Sequence, residues 1–242
     1  MDLNRLSIIL AEAGEPPFRF KQICKSYFSG KYSSFDDLTD ISKPLRSLLQ
    51  SQLSYYSVTE DKVLKDGNTI KSRLKLADGS LIESVLMDYG DWLTVCVSSQ
   101  VGCPLGCKFC ATGKMGFKRN LSVEEIIDQI LYWNHYLYPK YVGRVVFMGM
   151  GEPFLNWDNL LAALKIVNSP TGLNIGARKI SVSTAGIVPK IKEFALLDTE
   201  INLAISLHAP SQKIRETIMP VSRTYAFDDL IDTCRFYTKN SR

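Results

Sequence analysis

The segment after Trp92 constrains the fold most, because short β-type stretches alternate there with longer helical ones. A Ser122/Glu125 pair at capping-box spacing marks the start of the first of these helices. Such alternation predicts a parallel sheet with covering helices, open or partly closed as a barrel. In folds of this class the chemistry lies at the C-terminal ends of the strands. The predicted strands are Leu93–Ser98, Val145–Met148, Lys179–Ser183 and Asn202–Leu207.

The chain before Trp92 divides into two further parts. Residues 1–54 show helical spacing of apolar side chains, and Pro44 is placed to open the last helix. Residues 55–92 change towards a period of two, with Asp78-Gly79 as a hairpin turn signal. We therefore predict a helical N-terminal domain over 1–54, a β extension over 55–92 and a core domain over 93–242.

Charge and hydropathy limit the classes of partner. The 29 basic and 25 acidic residues give a net charge of +4, which permits a nucleic-acid partner without arguing for one. No stretch approaches the roughly 20 apolar residues that span a bilayer, and the N-terminus lacks the features of a signal peptide. We expect a cytoplasmic protein without a membrane partner.

Three of the six cysteines, Cys103, Cys107 and Cys110, share one loop after the first core strand. Clustered cysteines in a cytosolic chain more often bind metal than form disulfides. A [4Fe–4S] cluster ordinarily takes four cysteines, so three leave one iron open, and S-adenosylmethionine can chelate that iron. A structural zinc site remains an alternative, because His208 could fold close to the loop and complete it.

Polar and glycine-rich motifs follow the later strands at the ends where chemistry is expected. Glycines before Glu152 would let the backbone approach a ligand closely, and the carboxylate could accept from an ammonium group. Each serine or histidine motif is weak when taken singly, because a strand-end serine is more often a cap than a ligand. The candidate cofactor contacts are Gly151, Glu152, Ser183, Ser206, Leu207 and His208.

The cysteine loop, with an aromatic residue before its last cysteine, resembles that of the radical S-adenosylmethionine (radical SAM) superfamily. That resemblance implies an α/β fold, a partial (β/α)6 barrel. This chain would contain only about four of the barrel's strands. Together with Cys96, the motifs resemble the adenosine carbon-2 RNA methyltransferases of the RlmN/Cfr type over almost the whole chain. The motifs are CVSSQVGCPLGCKFCATGKMGFKRNLSVEEI (residues 96–126), GMGEP (149–153), STAG (183–186) and SLHAP (206–210).

The resemblance also implies roles for individual residues. Cys103, Cys107 and Cys110 would hold the cluster, and the six candidate contacts would bind S-adenosylmethionine. Glu83 would be the general base, and Cys96 the thiol that resolves a covalent RNA intermediate. The residues alone favour a solvated strand carboxylate for Glu83 and an inward-facing core residue for Cys96, and only the resemblance gives them these roles.

The family's reaction methylates carbon 2 of an adenosine in 23S rRNA and some tRNAs. One S-adenosylmethionine methylates a protein cysteine, and the cluster cleaves a second to a 5′-deoxyadenosyl radical. The implied partners are the RNA substrate and an electron donor such as flavodoxin or ferredoxin, with no DNA. In this family the helical N-terminal domain helps to bind RNA.

The methyl-carrying cysteine of the family lies beyond Arg242. Truncation of a longer methyltransferase would explain this, and so would a short natural variant that a partner completes. The alternatives in function are another radical SAM enzyme, or an iron–sulfur or RNA-binding remnant that does not methylate. The sequence leaves open the target adenosine, carbon 2 against carbon 8, activity on tRNA and the oligomeric state.

Overall fold

A computed structural model describes residues 1–241 of the chain. Among the described residues, three helices precede the first strand, and the others lie between the later strands or after the last one. Over residues 1–241, none of the helices has the length and apolar character that a bilayer span requires. The helices are α1 (Leu3–Glu12), α2 (Phe18–Phe28), α3 (Lys43–Gln52), α4 (Ala111–Lys114), α5 (Val123–Leu137), α6 (Trp157–Asn168), α7 (Val188–Ala195), α8 (Gln212–Ile218) and α9 (Phe227–Asn240).

The strands form one large sheet and one small hairpin. The seven-stranded sheet has the order β1-β2-β3-β4-β7-β8-β9, and β5 pairs with β6 separately. Pairing is antiparallel from β1 to β4 and parallel from β4 to β9. The strands are β1 (Val58–Asp66), β2 (Thr69–Leu76), β3 (Leu81–Asp88), β4 (Leu93–Cys96), β5 (Gln100–Gly102), β6 (Phe117–Asn120), β7 (Arg144–Phe147), β8 (Ile180–Thr184) and β9 (Asn202–Ile205).

The four parallel strands and their covering helices confirm the predicted fold class. Each strand lies within one or two residues of its predicted range, and the Ser122/Glu125 capping box at the start of α5 is present. Within the described residues the sheet is open rather than closed into a barrel, with β1 and β9 at its edges.

The two faces of the parallel strands differ in burial. Val95, Val145, Phe147, Ile180 and Val182 point to one face, where all five are fully buried. Directly paired residues share a face of a sheet, so Val85, Cys96, Val146 and Ser181 form a row on the other. We call this second side the open face, because every residue of that row is only half-buried.

The helical N-terminal region and the β meander also form as predicted. Apolar residues at helical spacing bury one side of α1, and Ser42 caps α3 with Pro44 in its first turn. The β2–β3 hairpin turns at Asp78-Gly79, where Gly79 has a φ of 78°. Cys24 is buried in α2, where it packs among the apolar residues of the core.

One buried carboxylate joins the N-terminal helices to the core. Asp128 of α5 accepts hydrogen bonds from the Tyr27 hydroxyl, from the Ser57 amide (2.6 Å) and from the Ser57 hydroxyl (2.7 Å). The same carboxylate forms an ion pair with the amino group of Met1 at 3.0 Å, and both side chains are fully buried. These contacts connect α2, the segment before β1 and α5.

Candidate functional site

The cysteine loop is framed by a small hairpin that sequence periodicity did not reveal. Strands β5 and β6 flank it, and the Cys103 amide donates to the Gly116 carbonyl at 2.9 Å. Gly102 adopts a φ of 75°, and a Cβ there would lie 1.9 Å from the same carbonyl oxygen. Only glycine fits at this crossing, which brings the ends of the loop together.

The three loop cysteines lie close enough to influence one another. Burial, with smaller contributions from charge on Glu152, Cys107 and Cys110, raises the pKa of the Cys103 thiol to about 11. Burial also raises the pKa of Cys107, and charge on Cys110 adds to that effect. A metal centre that binds these thiols would favour their thiolate form, because metal ligation requires a deprotonated cysteine.

The donor set suits an iron–sulfur cluster. All three cysteines are free thiols, and thiolate is the usual ligand of such clusters. Among residues 1–241 no group of three or more His, Cys, Asp or Glu side chains lies close enough to hold a single metal ion. A cluster binds each cysteine through a different iron, so its ligands are spaced more widely than those of one ion.

The GMGEP turn packs against the chain that leads from β4 to the cysteine loop. A Cβ on Gly149 would lie 2.8 Å from the Val97 carbonyl oxygen, and one on Gly151 would lie 2.5 Å from Gln100 Cβ. The Met150 amide donates to the Ser98 hydroxyl at 2.9 Å. The two glycines therefore permit a close approach of protein segments to each other, and Gly151 also has a φ of 101°.

Glu152 is buried where the strand-end loops meet. Its carboxylate accepts from the Phe154 amide at 3.0 Å and from the Ala185 amide at 2.7 Å. Burial raises the pKa of Glu152, and these hydrogen bonds oppose the shift. Glu152 thus links the GMGEP turn to the STAG turn, and its charge acts on Cys103 and Cys107.

The STAG and SLHAP motifs meet beside the cysteine loop. The hydroxyls of Ser183 and Ser206 lie 3.3 Å apart at the ends of β8 and β9. His208 follows the half-buried Leu207 with a φ of 55°, and its ring centroid lies 4.6 Å from that of Phe109, inside the cysteine loop. The structure therefore brings the SLHAP motif to the cysteine loop.

Glu83 and Cys96 share the open face with these residues. Val85 pairs directly with Cys96. Glu83 is therefore the diagonal neighbour of Cys96 across the two strands, with about 7–8 Å between their Cα atoms. The Glu83 side chain is 46% exposed and forms an ion pair with Lys71 at 2.9 Å. The register therefore places both candidate catalytic residues on the face that carries Ser183.

Burial raises the pKa of the Cys96 thiol to about 11, although an N–H of Met148 stabilises the thiolate. We expect alkylation of Cys96 by iodoacetamide to increase about thirtyfold between pH 8 and pH 9.5, because the thiolate fraction still rises across that range. Peptide mapping by mass spectrometry measures the rate of Cys96 alkylation at each pH. An increase of only about fourfold over the same range, as an ordinary exposed thiol with a pKa near 8.5 would show, would contradict the prediction.

Sequence reasoning missed the polar residues that support the site from behind. Gln100 accepts from the Glu152 amide at 2.8 Å, and Asn156 donates to the carbonyls of Ser99 and Leu121 at 2.8 Å each. Arg215 is fully buried behind the STAG and SLHAP turns. No periodicity or spacing signals these roles, because each depends on contacts between distant segments.

Two family models match the chain. The model of the radical SAM superfamily covers residues 97–241. The model of the ribosomal RNA large subunit methyltransferase N-terminal domain covers residues 1–54.

Individual relatives resemble the chain over nearly all of its length. A probable dual-specificity RNA methyltransferase RlmN from Bacillus velezensis is 44% identical over 99% of the chain, which spans 67% of that relative. The protein of the same name from Dictyoglomus thermophilum is 40% identical over 99% of the chain, which spans 70% of it. A radical SAM methyltransferase from Sphaerobacter thermophilus has a crystal structure with a TM-score of 0.93 and 38% identity, covering 100% of this chain and 72% of that one.

Proposed function

The chain belongs to the radical SAM superfamily and, within it, to the RlmN family of RNA methyltransferases; from this premise we propose that it methylates carbon 2 of an adenosine in 23S rRNA and in tRNA. The relatives' description as dual-specificity RNA methyltransferases supports two RNA substrates. The observation that carries the proposal is the meeting of the cysteine loop with the GMGEP, STAG and SLHAP turns at one end of the parallel strands.

We propose that Cys103, Cys107 and Cys110 hold a [4Fe–4S] cluster. Their shared loop, mutual electrostatic influence and free thiols support this assignment. When bound, the cluster supplies the electron that cleaves the sulfonium of S-adenosylmethionine. A donor such as flavodoxin or ferredoxin would deliver that electron.

The candidate contacts for S-adenosylmethionine surround the cysteine loop. The charge of Glu152 acts on Cys103 and Cys107, and its carboxylate suits the cofactor's ammonium group. The Ser183 and Ser206 hydroxyls, 3.3 Å apart, suit a ribose or carboxylate. Gly151, Leu207 and His208 complete the proposed contact set, with their backbone in the two turns next to the loop.

Glu83 and Cys96 remain the proposed general base and resolving thiol. An exposed ion pair such as Glu83–Lys71 contributes little energy, so the carboxylate is free to turn towards a substrate on the open face. Cys96 is protonated at neutral pH because its pKa is about 11. Its position diagonal to Glu83, on the same face of the sheet, supports the proposal that both residues act on one RNA intermediate, Glu83 by removing a proton from it and Cys96 by attacking its thioether link to the protein.

The proposed domain boundaries follow the changes in apolar periodicity along the sequence. Residues 1–54 form the RNA-binding accessory domain, residues 55–92 the β extension, and residues 93–242 the radical SAM core. The N-terminal family model over residues 1–54 and the radical SAM model over residues 97–241 support these boundaries.

Methyl transfer to a 23S rRNA fragment tests the proposal. The cluster-loaded chain is assayed as it stands and extended with the C-terminal segment of the Bacillus velezensis relative, using S-adenosylmethionine with a deuterated methyl group. Mass spectrometry of digested RNA then locates the label. We expect carbon-2 methylation by the extended chain, lost in E83Q and retained in E200Q, since Glu200 is also an ion-paired glutamate with 44% side-chain exposure.

Two other outcomes would overturn the proposal. Label on another atom of adenosine would assign a different methyltransferase specificity. Cleavage of S-adenosylmethionine without any RNA methylation, in both forms of the protein, would favour a radical SAM enzyme with a different substrate.

A further inference from the structure

Arg215 of α8 is the largest buried cation in the described structure, and its surroundings are unusual for one. Its relative exposure is 0%. Its side chain bonds to three backbone carbonyls and one hydroxyl, and no carboxylate of residues 1–241 forms an ion pair with it. Buried charges normally carry a paired countercharge, so this arginine calls for an explanation.

The guanidinium holds the two turns that end β8 and β9. One terminal nitrogen donates to the Ala185 carbonyl at 2.6 Å and to the Ser206 carbonyl at 3.4 Å, and Nε donates to Leu207 at 3.2 Å. The other terminal nitrogen donates to the Ser222 hydroxyl at 2.9 Å. A planar fork of donors suits this task, because it fixes several acceptors at set angles.

The same helix holds the cysteine loop. The amide of Lys108, next to Cys107, donates to the carbonyl of Ile218 at the end of α8 at 2.9 Å. Helix α8 therefore contacts the cysteine loop through its backbone and the STAG and SLHAP turns through Arg215.

Ala185 connects the arginine to the buried glutamate. Its carbonyl accepts from Arg215 at 2.6 Å, while its amide donates to Glu152 at 2.7 Å. Close packing maintains this arrangement, since a Cβ on Gly186 would lie 3.0 Å from Leu230 and 3.4 Å from the guanidinium. A single residue, Ala185, thus lies between the two buried ionisable side chains of the site.

The buried charge also lies on the helix that contacts the cysteine loop. Arg215 is one turn before Ile218, whose carbonyl accepts from the amide next to Cys107. Burial lowers the pKa of Arg215, so negative charge nearby favours the protonated guanidinium. Three thiolates bring negative charge that a buried guanidinium can balance.

We infer that Arg215 is a positioning residue that holds the strand-end turns of the cofactor site in register and supplies the buried countercharge to the cluster-binding thiolates. The inference rests on the proposed cluster and cofactor. It assigns two separable properties to one side chain, namely the hydrogen-bonding fork and the charge. Substitutions that keep one property and remove the other can therefore distinguish them.

The experiment compares R215K, which keeps the charge without the fork, with R215M, which removes both. Arg223 lies exposed on the following segment, so R223M is the matched control. Each protein is reconstituted with iron and sulfide without oxygen. The midpoint potential of its cluster is then measured by electron paramagnetic resonance during a redox titration, and the dissociation constant for S-adenosylmethionine by equilibrium dialysis.

We expect R215M to shift the midpoint potential to more negative values, because reduction adds negative charge that the guanidinium no longer balances. We expect R215K to retain the wild-type potential but to bind S-adenosylmethionine about tenfold more weakly, as the turns lose several hydrogen bonds. R223M should match the wild type in both. A wild-type potential in R215M, or wild-type cofactor affinity in R215K, would overturn the inference.

Two further results separate this inference from other failures. If the wild-type protein takes up no cluster, the proposed function fails before the arginine is tested. If circular dichroism shows that R215M is unfolded, S222A is used in its place. The S222A substitution removes the hydrogen bond to one guanidinium nitrogen and keeps the charge of Arg215. S222A should then weaken cofactor binding without shifting the potential, and a shifted potential or unchanged binding would contradict the inference.

Discussion

Replacing Cys107 with alanine is expected to reduce iron uptake on anaerobic reconstitution to the background level. Cys107 is the central and most buried cysteine of its loop, and it interacts electrostatically with Cys110, Glu152 and Arg215. With one thiolate removed, two protein ligands remain for four irons, too few to hold a cubane. Iron and sulfide analysis, with the visible absorbance of the cluster, measures the loss.

C234A provides the matched control for this experiment. Cys234 is a half-buried free thiol on α9 that packs against the core. We expect C234A to take up iron like the wild-type protein. Cluster formation by folded C107A at the wild-type level would show that the loop is not the cluster site.

Replacing Asp128 with alanine is expected to lower the free energy of unfolding by about 3–5 kcal/mol, the usual cost of breaking a buried ion pair. The change leaves the buried amino group of Met1, the Tyr27 hydroxyl and the Ser57 amide without their shared acceptor. Unpaired buried donors are costly because they lose water as well as a partner. Urea denaturation followed by circular dichroism measures the change.

D91A controls for the loss of a carboxylate as such. Asp91 lies exposed in the turn before β4, so its replacement should change the free energy of unfolding by less than about 0.5 kcal/mol. Equal stability of D128A and D91A would mean that Asp128 does not fasten the N-terminal helices to the core.

The local features of this fold could be predicted from the sequence, because interactions between neighbouring residues determine them. The Asp78-Gly79 turn, the Ser122/Glu125 cap and the four core strands each depend on neighbouring residues, and all were predicted. The hairpin of β5 and β6 was missed because its strands are short and β6 is largely exposed, so no apolar alternation marks it.

The features of the candidate site likewise fall into those that the sequence predicts and those that only the tertiary structure reveals. Spacing alone indicated the cysteine loop, and fold class indicated that the motifs meet at the strand ends. Contacts that depend on tertiary structure could not be foreseen, such as the link from Glu152 through Ala185 to Arg215. The pairing of Glu83 with Lys71 and the diagonal placement of Cys96 likewise follow from strand register, which the sequence does not specify.

The central claim is that the three thiols of one loop hold a cluster with an iron free to bind S-adenosylmethionine. Its most direct test is release of 5′-deoxyadenosine by the wild-type protein after anaerobic reconstitution and reduction with dithionite. We predict about four irons per chain and release that requires added S-adenosylmethionine. Protein that binds zinc but no iron, or that takes up iron and never cleaves S-adenosylmethionine, would contradict the account.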